Sequence, residues 1–256
     1  MSVLPLLTTA QVRDLEERAA RGLAGPTLMQ RAGRAAADAA RALAEDTGAA
    51  ILVVAGPGNN GGDAWVAAAH LRKTFHRVTV LDVAGTAPKA PEAQEARERF
   101  LAAGGTSVRA WPEGPRPGLV VDGLLGIGLA RDVDGDWAAL VGRMNGCGAP
   151  VLSIDIPSGL SSDTGCVRGV AVRAARTITF IARKVGLHTG DALDHAGDIV
   201  VDDLGVDPAL LEGFPGSLVV AESVRGWLAP RLRNAHKGTY GTLGIIGGGK
   251  GMTGAA

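Results

Sequence analysis

Apolar positions along this chain follow two periods. Near the N-terminus they recur at helical spacing, in a segment that Thr8 or Thr9 can cap and that runs to about Arg21. A second helix is predicted from about Thr27 to Glu45, through PTLMQRAGRAAADAARALAE, with small or apolar residues on most faces. Short apolar runs then alternate with helical patterns. The runs are Ile51–Ala55, Val78–Val83, Leu119–Val121, Val151–Ile154, Thr177–Ala182 and Ile199–Asp202. They are rich in Val, Ile and Leu on both faces, as strands are in a parallel sheet covered on both sides. Helical patterns fall between them at about Asp63–Thr74, Pro91–Ala103 and Trp137–Asn145. The alternation predicts a Rossmann-like three-layer α/β/α fold, with a mostly parallel central sheet and helices on both faces.

At 256 residues, 46% of them hydrophobic, the chain can bury one sizeable core. Lysine and arginine number 26, as do aspartate and glutamate, so no basic excess points to nucleic acid or an anionic membrane. Aromatic content of 4% argues against stacking on single-stranded bases. Cys147 and Cys166 show no CxxC spacing, and the five histidines form no HxxxH or HExxH pair, so neither a disulfide framework nor a zinc site is indicated. The N-terminus lacks a basic region and meets acidic residues early, unlike a secretory signal. No stretch of about 18 apolar residues is present to span a membrane. The expected location is cytoplasmic.

In an open α/β sheet, ligands bind beyond the carboxyl ends of the strands. Three unusual segments fall there. Gly56-Pro57-Gly58-Asn59-Asn60-Gly61-Gly62-Asp63 follows a strand and opens a helix. It contains G-x-G-x-x-G, with Asp82 ending the next strand, where a dinucleotide fingerprint places an acid. That fingerprint is weak alone. The two amides and one carboxylate crowded into the loop favour specific polar recognition or cation coordination; a tight turn with Asp63 supporting the helix start is the plainer alternative. The second segment runs from Asp122 to Asp132, DGLLGIGLARD; Asp122 is either a turn cap or a carboxylate in the crevice, and Arg131 either meets phosphate or stays solvated. In the third, Asp155-Ile156-Pro157-Ser158-Gly159-Leu160, Asp155 sits where a general acid/base is expected, or makes an Asx-type turn. Asn60, Asp122 and Ser158 together offer hard oxygen donors, suited to a weakly charged cation such as K⁺.

GPGNNGGD, DGLLGIGLARD and DIPSG, in this order and spacing, resemble the NAD(P)H-hydrate epimerases, as do PTLMQRAG and TITFIARKVGL; the resemblance covers roughly residues 7–208. It implies a Rossmann-like fold, bound K⁺ and hydrated NADH or NADPH as a small-molecule substrate. By the same resemblance Asn59, Asn60, Gly61, Gly62 and Asp63 contact the substrate. Gly126, Ile127, Gly128, Leu129, Ala130, Arg131 and Asp132 wrap its phosphate region, Asp155 lies at the reacting ring as acid/base, and Asn60, Asp122 and Ser158 hold K⁺. Lys184 either assists or is an ordinary exposed lysine. Ala64, Ile127 and Val185 stand where the family commonly has Gly, Thr and Pro, which affects fine substrate contacts and deletes no expected ligand.

The expected organisation is an epimerase domain over 1–215, a linker over 216–235, and at 236–256 the truncated start of a kinase-like dehydratase domain, which HKGTYG and LGIIGGGKGMTGAA resemble. Dehydratase activity is not expected of this chain. The Ala-rich second helix makes a homodimer reasonable. Two other readings stand beside the epimerase. One is an NAD-dependent oxidoreductase, for which no proton-relay residue stands out. The other is a nucleotide-binding module without chemistry.

Overall fold

A computed structural model describes residues 4–44, 50–75, 77–83 and 90–225, and from there 232–236, 238–242, 244, 246, 248 and 254. Residues 4–218 form one compact unit, and the rest of the chain forms a second. Seven strands make the central sheet of the first unit: β2 (Ile51–Ala55), β3 (Val78–Asp82), β4 (Thr106–Val108), β5 (Leu119–Gly123), β6 (Val151–Ile154), β7 (Arg176–Phe180) and β9 (Asp198–Asp202). Their order is β4-β3-β2-β5-β6-β7-β9, and every pair is parallel. The chain winds outward from β2 in one direction and from β5 in the other. The switch point therefore lies between β2 and β5, where a crevice forms at the carboxyl ends.

The layers follow from alternation along the strands. Ile51, Val53 and Ala55 of β2 join a core that also holds Val12 and Leu15 of α1 (Thr9–Gly22), the alanines of α2 (Leu28–Leu43), Trp65 of α3 (Asn59–Leu71) and Phe100 of α4 (Pro91–Ala102). Leu52 and Val54 face the opposite way, onto Val141 and Met144 of α5 (Gly135–Gly146). The small residues of α2 are used inside the unit: Gly33 packs on Val66 of α3, where a Cβ would come within 2.4 Å. The Ala-rich face that suggested a dimer is thus buried against the chain's own helix.

Four short strands escaped sequence reading; one is β4, at the edge of the central sheet, and the other three pair apart from it. These three are β1 (Leu4–Leu7), β8 (Arg183–Lys184) and β10 (Ser217–Leu218), which form a second sheet in the order β10-β1-β8. Ser217 and Leu218 were expected in a linker, yet they pair antiparallel with Pro5 and Leu4. Leu7 pairs with Lys184 in the parallel β1–β8 ladder. Thr8 then caps α1 in a reciprocal box with Gln11. Thr9 N donates to Asp163 Oδ1 at 2.6 Å, which fastens the same end to the loop after β6.

Two boundaries near the site moved. Helix α3 begins at Asn59, with Gly58 as its N-cap, four residues before the expected start at Asp63. Asn59 to Asp63 are accordingly the first turn of a helix and not a loop. Strand β7 stops at Phe180 because Ile181 adopts φ 65°, and Ala182 N closes a tight turn onto Phe180 O at 2.7 Å. The predicted end of the second helix at Glu45 lies outside the described residues. Among the described residues, no helix is long and apolar enough to cross a membrane.

Candidate active site

The carboxyl ends of β2, β5 and β6 meet at one buried carboxylate. Asp122 of β5 is fully buried. Its Oδ2 accepts from Ser153 Oγ at 2.8 Å and from Ser158 N at 2.9 Å. Its Oδ1 accepts from Ser158 Oγ at 2.6 Å and Leu124 N at 3.2 Å. Burial pushes the Asp122 carboxyl up, and these four donors oppose that by favouring the charged form. Asp122 thus ties the loop after β5 to the loop after β6; it does not itself line the crevice. Ser158 Oγ also accepts from Leu125 N at 2.8 Å, and Asn60 of α3 donates through Nδ2 to Leu125 O at 2.8 Å. The other amide atom, Asn60 Oδ1, is buried and has no hydrogen-bond partner. A buried acceptor left unmet costs about 1–3 kcal/mol. It is the mark of a position built for a donor or a cation.

The glycines around it serve packing. A Cβ on Gly56 would fall 1.8 Å from Leu124 O, and one on Gly61 would fall 1.9 Å from Gly56 O. A Cβ on Gly62 would meet the Met29 side chain at 2.5 Å. Only without these side chains can the first turn of α3 sit against the ends of β2 and β5. Gly61 and Gly62, expected as substrate contacts, are buried against protein and do not line the crevice.

The crevice is a cavity of about 480 Å³. Asn59, Asn60 and Asp63 line one side, Leu124 to Leu129 another, and Asp155 with Phe180 the floor. Of the expected phosphate loop, Gly126, Ile127, Gly128 and Leu129 face this cavity. Ala130 does not. Arg131 and Asp132 border a separate hollow that shares Leu129, and Asp132 pairs with Arg168 at 2.7 Å. The N-terminal amides of α3 end at the cavity, an arrangement that favours anionic groups.

Asp155 follows β6 with φ 67°, a left-handed conformation unusual for a residue other than glycine. Ile156 N closes a tight turn across it onto Ile154 O at 2.8 Å. Such strain costs about 1–3 kcal/mol and is typical of functional positions. Its Oδ1 lies 2.5 Å from Lys184 Nζ. Lys184 is 1% exposed, not a surface lysine, and also donates to Thr179 Oγ1 at 2.7 Å and Phe180 O at 3.0 Å. A buried ammonium needs such a set of acceptors, because desolvation of a lone charge is prohibitive.

Sequence reasoning found helix α1 but not its part in the site. Arg13, Glu16 and Glu17 of α1 line the same cavity as Asp155. Their spacing reads as an ordinary solvated helix face, and only the β1–β8 pairing reveals that this face looks into the cavity. Burial, and then the Asp155 charge, raise the Glu16 carboxyl from 4.5 to about 7, against the pull of Lys184 and Arg13. Asp63 is pushed well above the usual carboxylate range, first by burial and then by Asp155, Glu16 and Glu92. Asp82, the acid a dehydrogenase fingerprint would place on a ribose, is 3% exposed and bonded to Arg97 Nε at 3.1 Å, away from the cavity.

A family profile described as YjeF-related protein N-terminus matches residues 25–186. NAD(P)H-hydrate epimerase from Achromobacter xylosoxidans is 43% identical over 203 residues, 79% of this chain and 96% of that protein. The bifunctional NAD(P)H-hydrate repair enzyme Nnr of Escherichia coli is 41% identical over 247 residues, 93% of this chain. The chain spans about half the length of that bifunctional relative, 47%. The crystal structure of yeast ynu0, YNL200c, superposes with a TM-score of 0.70 at 18% identity, covering 86% of this chain and 97% of that one, which establishes a shared fold.

Proposed function

The chain belongs to the family of the NAD(P)H-hydrate epimerases, and from that premise we propose that it interconverts the two C6 epimers of hydrated NADH and NADPH in the cavity between α1, α3 and the loop after β5. The observation that carries this reading is the Asp155–Lys184 pair, a strained and partly exposed carboxylate held at the cavity floor by a buried ammonium. The nicotinamide is substrate here and no hydride moves. Inverting C6 needs the hydroxyl to leave and water to return on the other face, through a ring that carries positive charge. Asp155 supplies a fixed negative charge beside that ring. The α3 N-terminus and the Gly126–Leu129 loop take the phosphate end of the substrate. The backbone turn at Asp155 keeps the carboxylate from rotating away.

The residues present fit a bound K⁺. Asn60 offers a buried oxygen without a partner, Ser158 meets the same Leu125 backbone that Asn60 does, and Asp122 is bonded to Ser158, so hard oxygens gather at the loop after β5. Asn60, Asp122 and Ser158 would hold the ion, which would supply positive charge beside the buried carboxylate and toward the substrate phosphates. The match to the bifunctional relative is longer than the match to the single-function one, which supports reading the segment from His236 onward as the start of a second, dehydratase unit.

The oxidoreductase reading lacks support, because Asp82 is committed to Arg97. The test is to supply one purified epimer and resolve both by chromatography. Equilibration well above the spontaneous rate is expected, and a rate equal to the spontaneous one contradicts the reading.

A further inference from the structure

Two acidic residues line the cavity within reach of each other's charge, and they differ in what holds them. Asp155 has its charge matched by Lys184, whose remaining bonds go to Thr179 and Phe180. Glu16 has no hydrogen-bonding or ion-pairing partner among the described residues, although it is half-buried and lines the same cavity. Its helix is anchored at the N-terminal end: β1 is registered to β8 through Leu7 and Lys184, and α1 is fastened at Thr9 to Asp163. A carboxyl group held in place yet left unpaired is free to gain and lose a proton. One locked in an ion pair is suited to remain an anion.

We propose that Glu16 is the proton-exchanging residue of this site and that Asp155 is its fixed anion. The proposal rests on the epimerase reading and divides its chemistry between two residues. The C6–O bond breaks with its electron pair going to oxygen, which takes the proton of Glu16 and departs as water. The ring nitrogen shares its lone pair with C6, and the resulting cation faces Asp155. Water then adds to the other face of C6 and passes its extra proton to the Glu16 carboxylate, which restores the starting state. Glu16 must meet the ring at its C6 edge, from where oxygen on either face is in reach. No electron acceptor or co-reactant is needed.

The charges facing Glu16 come from every element around it: Arg13 on its own helix, Asp155 after β6, Lys184 on β8 and Asp63 on α3, with Glu92 of α4 beyond Asp63. With burial first among the causes, they bring Glu16 to about 7, where both protonation states are populated in neutral solution. Asp63 is also pushed well above the usual carboxylate range, by burial first, so Asp63→Asn is the control that separates the two acids.

The experiment measures epimerisation rates in both directions from pH 5 to 9 with K⁺ present, for the full chain, Glu16→Gln, Glu16→Asp and Asp63→Asn. Glu16→Gln is expected to lower kcat about 10²- to 10³-fold, to leave KM within about threefold, and to abolish the pH dependence centred near neutrality. Glu16→Asp is expected to restore part of the rate with a displaced pH profile. A Glu16→Gln rate within threefold of the parent, or a neutral limb that disappears in Asp63→Asn instead, overturns the proposal. If Glu16→Gln melts early, Glu16→Asp decides: a displaced profile supports the assignment and an unchanged one overturns it. An inactive parent chain would sink the epimerase reading itself, and this assignment with it.

Discussion

Leu7 of β1 stands opposite Lys184 of β8 in a parallel ladder, so the strand that leads into α1 is registered to the residue that neutralises Asp155. One backbone pairing thus positions two parts of the site: the ammonium beneath Asp155, and the helix carrying Arg13 and Glu16.

The two halves of the ion pair should respond unequally to truncation. Asp155→Ala leaves Lys184 buried with only neutral acceptors, and a broken buried pair costs roughly 3–5 kcal/mol. Lys184→Met removes the buried charge and leaves Asp155, which is partly exposed and can be hydrated. Urea unfolding should therefore show the larger loss for Asp155→Ala, with both variants impaired in catalysis. Equal losses would mean that Lys184 is better solvated than its 1% exposure implies.

Stability should depend on pH through Glu16. Its carboxyl sits at about 7 in the fold against an ordinary value of 4.5. The protonated form is favoured by folding, so this contribution is fully present below pH 4.5 and is lost as pH rises through 7. At about 1.4 kcal/mol per pH unit between 4.5 and about 7, it is at most about 3.5 kcal/mol. Denaturant unfolding at pH 5 and pH 8 should show a smaller difference for Glu16→Gln than for the parent. The same difference in both would remove Glu16 as the cause.

The glycines of the first loop should sort by what a Cβ meets. Gly61→Ala drives a methyl into a backbone carbonyl and should destabilise by about 3 kcal/mol or more. Gly62→Ala meets the flexible end of Met29 but also the Ala93 Cβ at 2.8 Å, and should cost about 1–3 kcal/mol. Gly58 has nothing within 4 Å, so Gly58→Ala should fold normally although it lies in the cavity wall. Thermal melts of the three variants give the ranking, and a melt of Gly61→Ala matching the parent would refute it.

Potassium should stabilise the fold selectively. Melting in KCl should exceed melting in choline chloride at equal ionic strength, because an ion that binds only the native state raises its stability. The difference should vanish in Asn60→Ala, which removes the unpartnered oxygen, and in Asp122→Asn. Identical melts in both salts would count against a K⁺ site.

The central sheet was legible in the sequence because its long strands are buried on both faces, and their Val, Ile and Leu runs say so. Short strands without an apolar run carry no such signal: β4, β1, β8 and β10 exist through pairing partners far apart in sequence, and Pro5 obscures β1. The segments at the strand ends were legible too, because Asn and Asp among glycines are conspicuous. Their division of labour was not. Gly61 and Gly62 are also packing requirements, and of the two readings open for Asp122 the cap is nearer, since it is a buried tie between two loops. Glu16 looked like one more charge on an amphipathic helix, since nothing local distinguishes a face turned to solvent from one turned to a cavity.

The central claim is that the cavity with Asp155 at its floor epimerises hydrated nicotinamide nucleotides. The most direct measurement follows one epimer of hydrated NADH with K⁺, comparing the parent chain with a folded Asp155→Asn variant. The account predicts rapid equilibration by the parent and a loss of at least about 10²-fold in the variant. Equal rates in the two would place the chemistry elsewhere, and no acceleration by the parent would leave a nucleotide-binding module in its place.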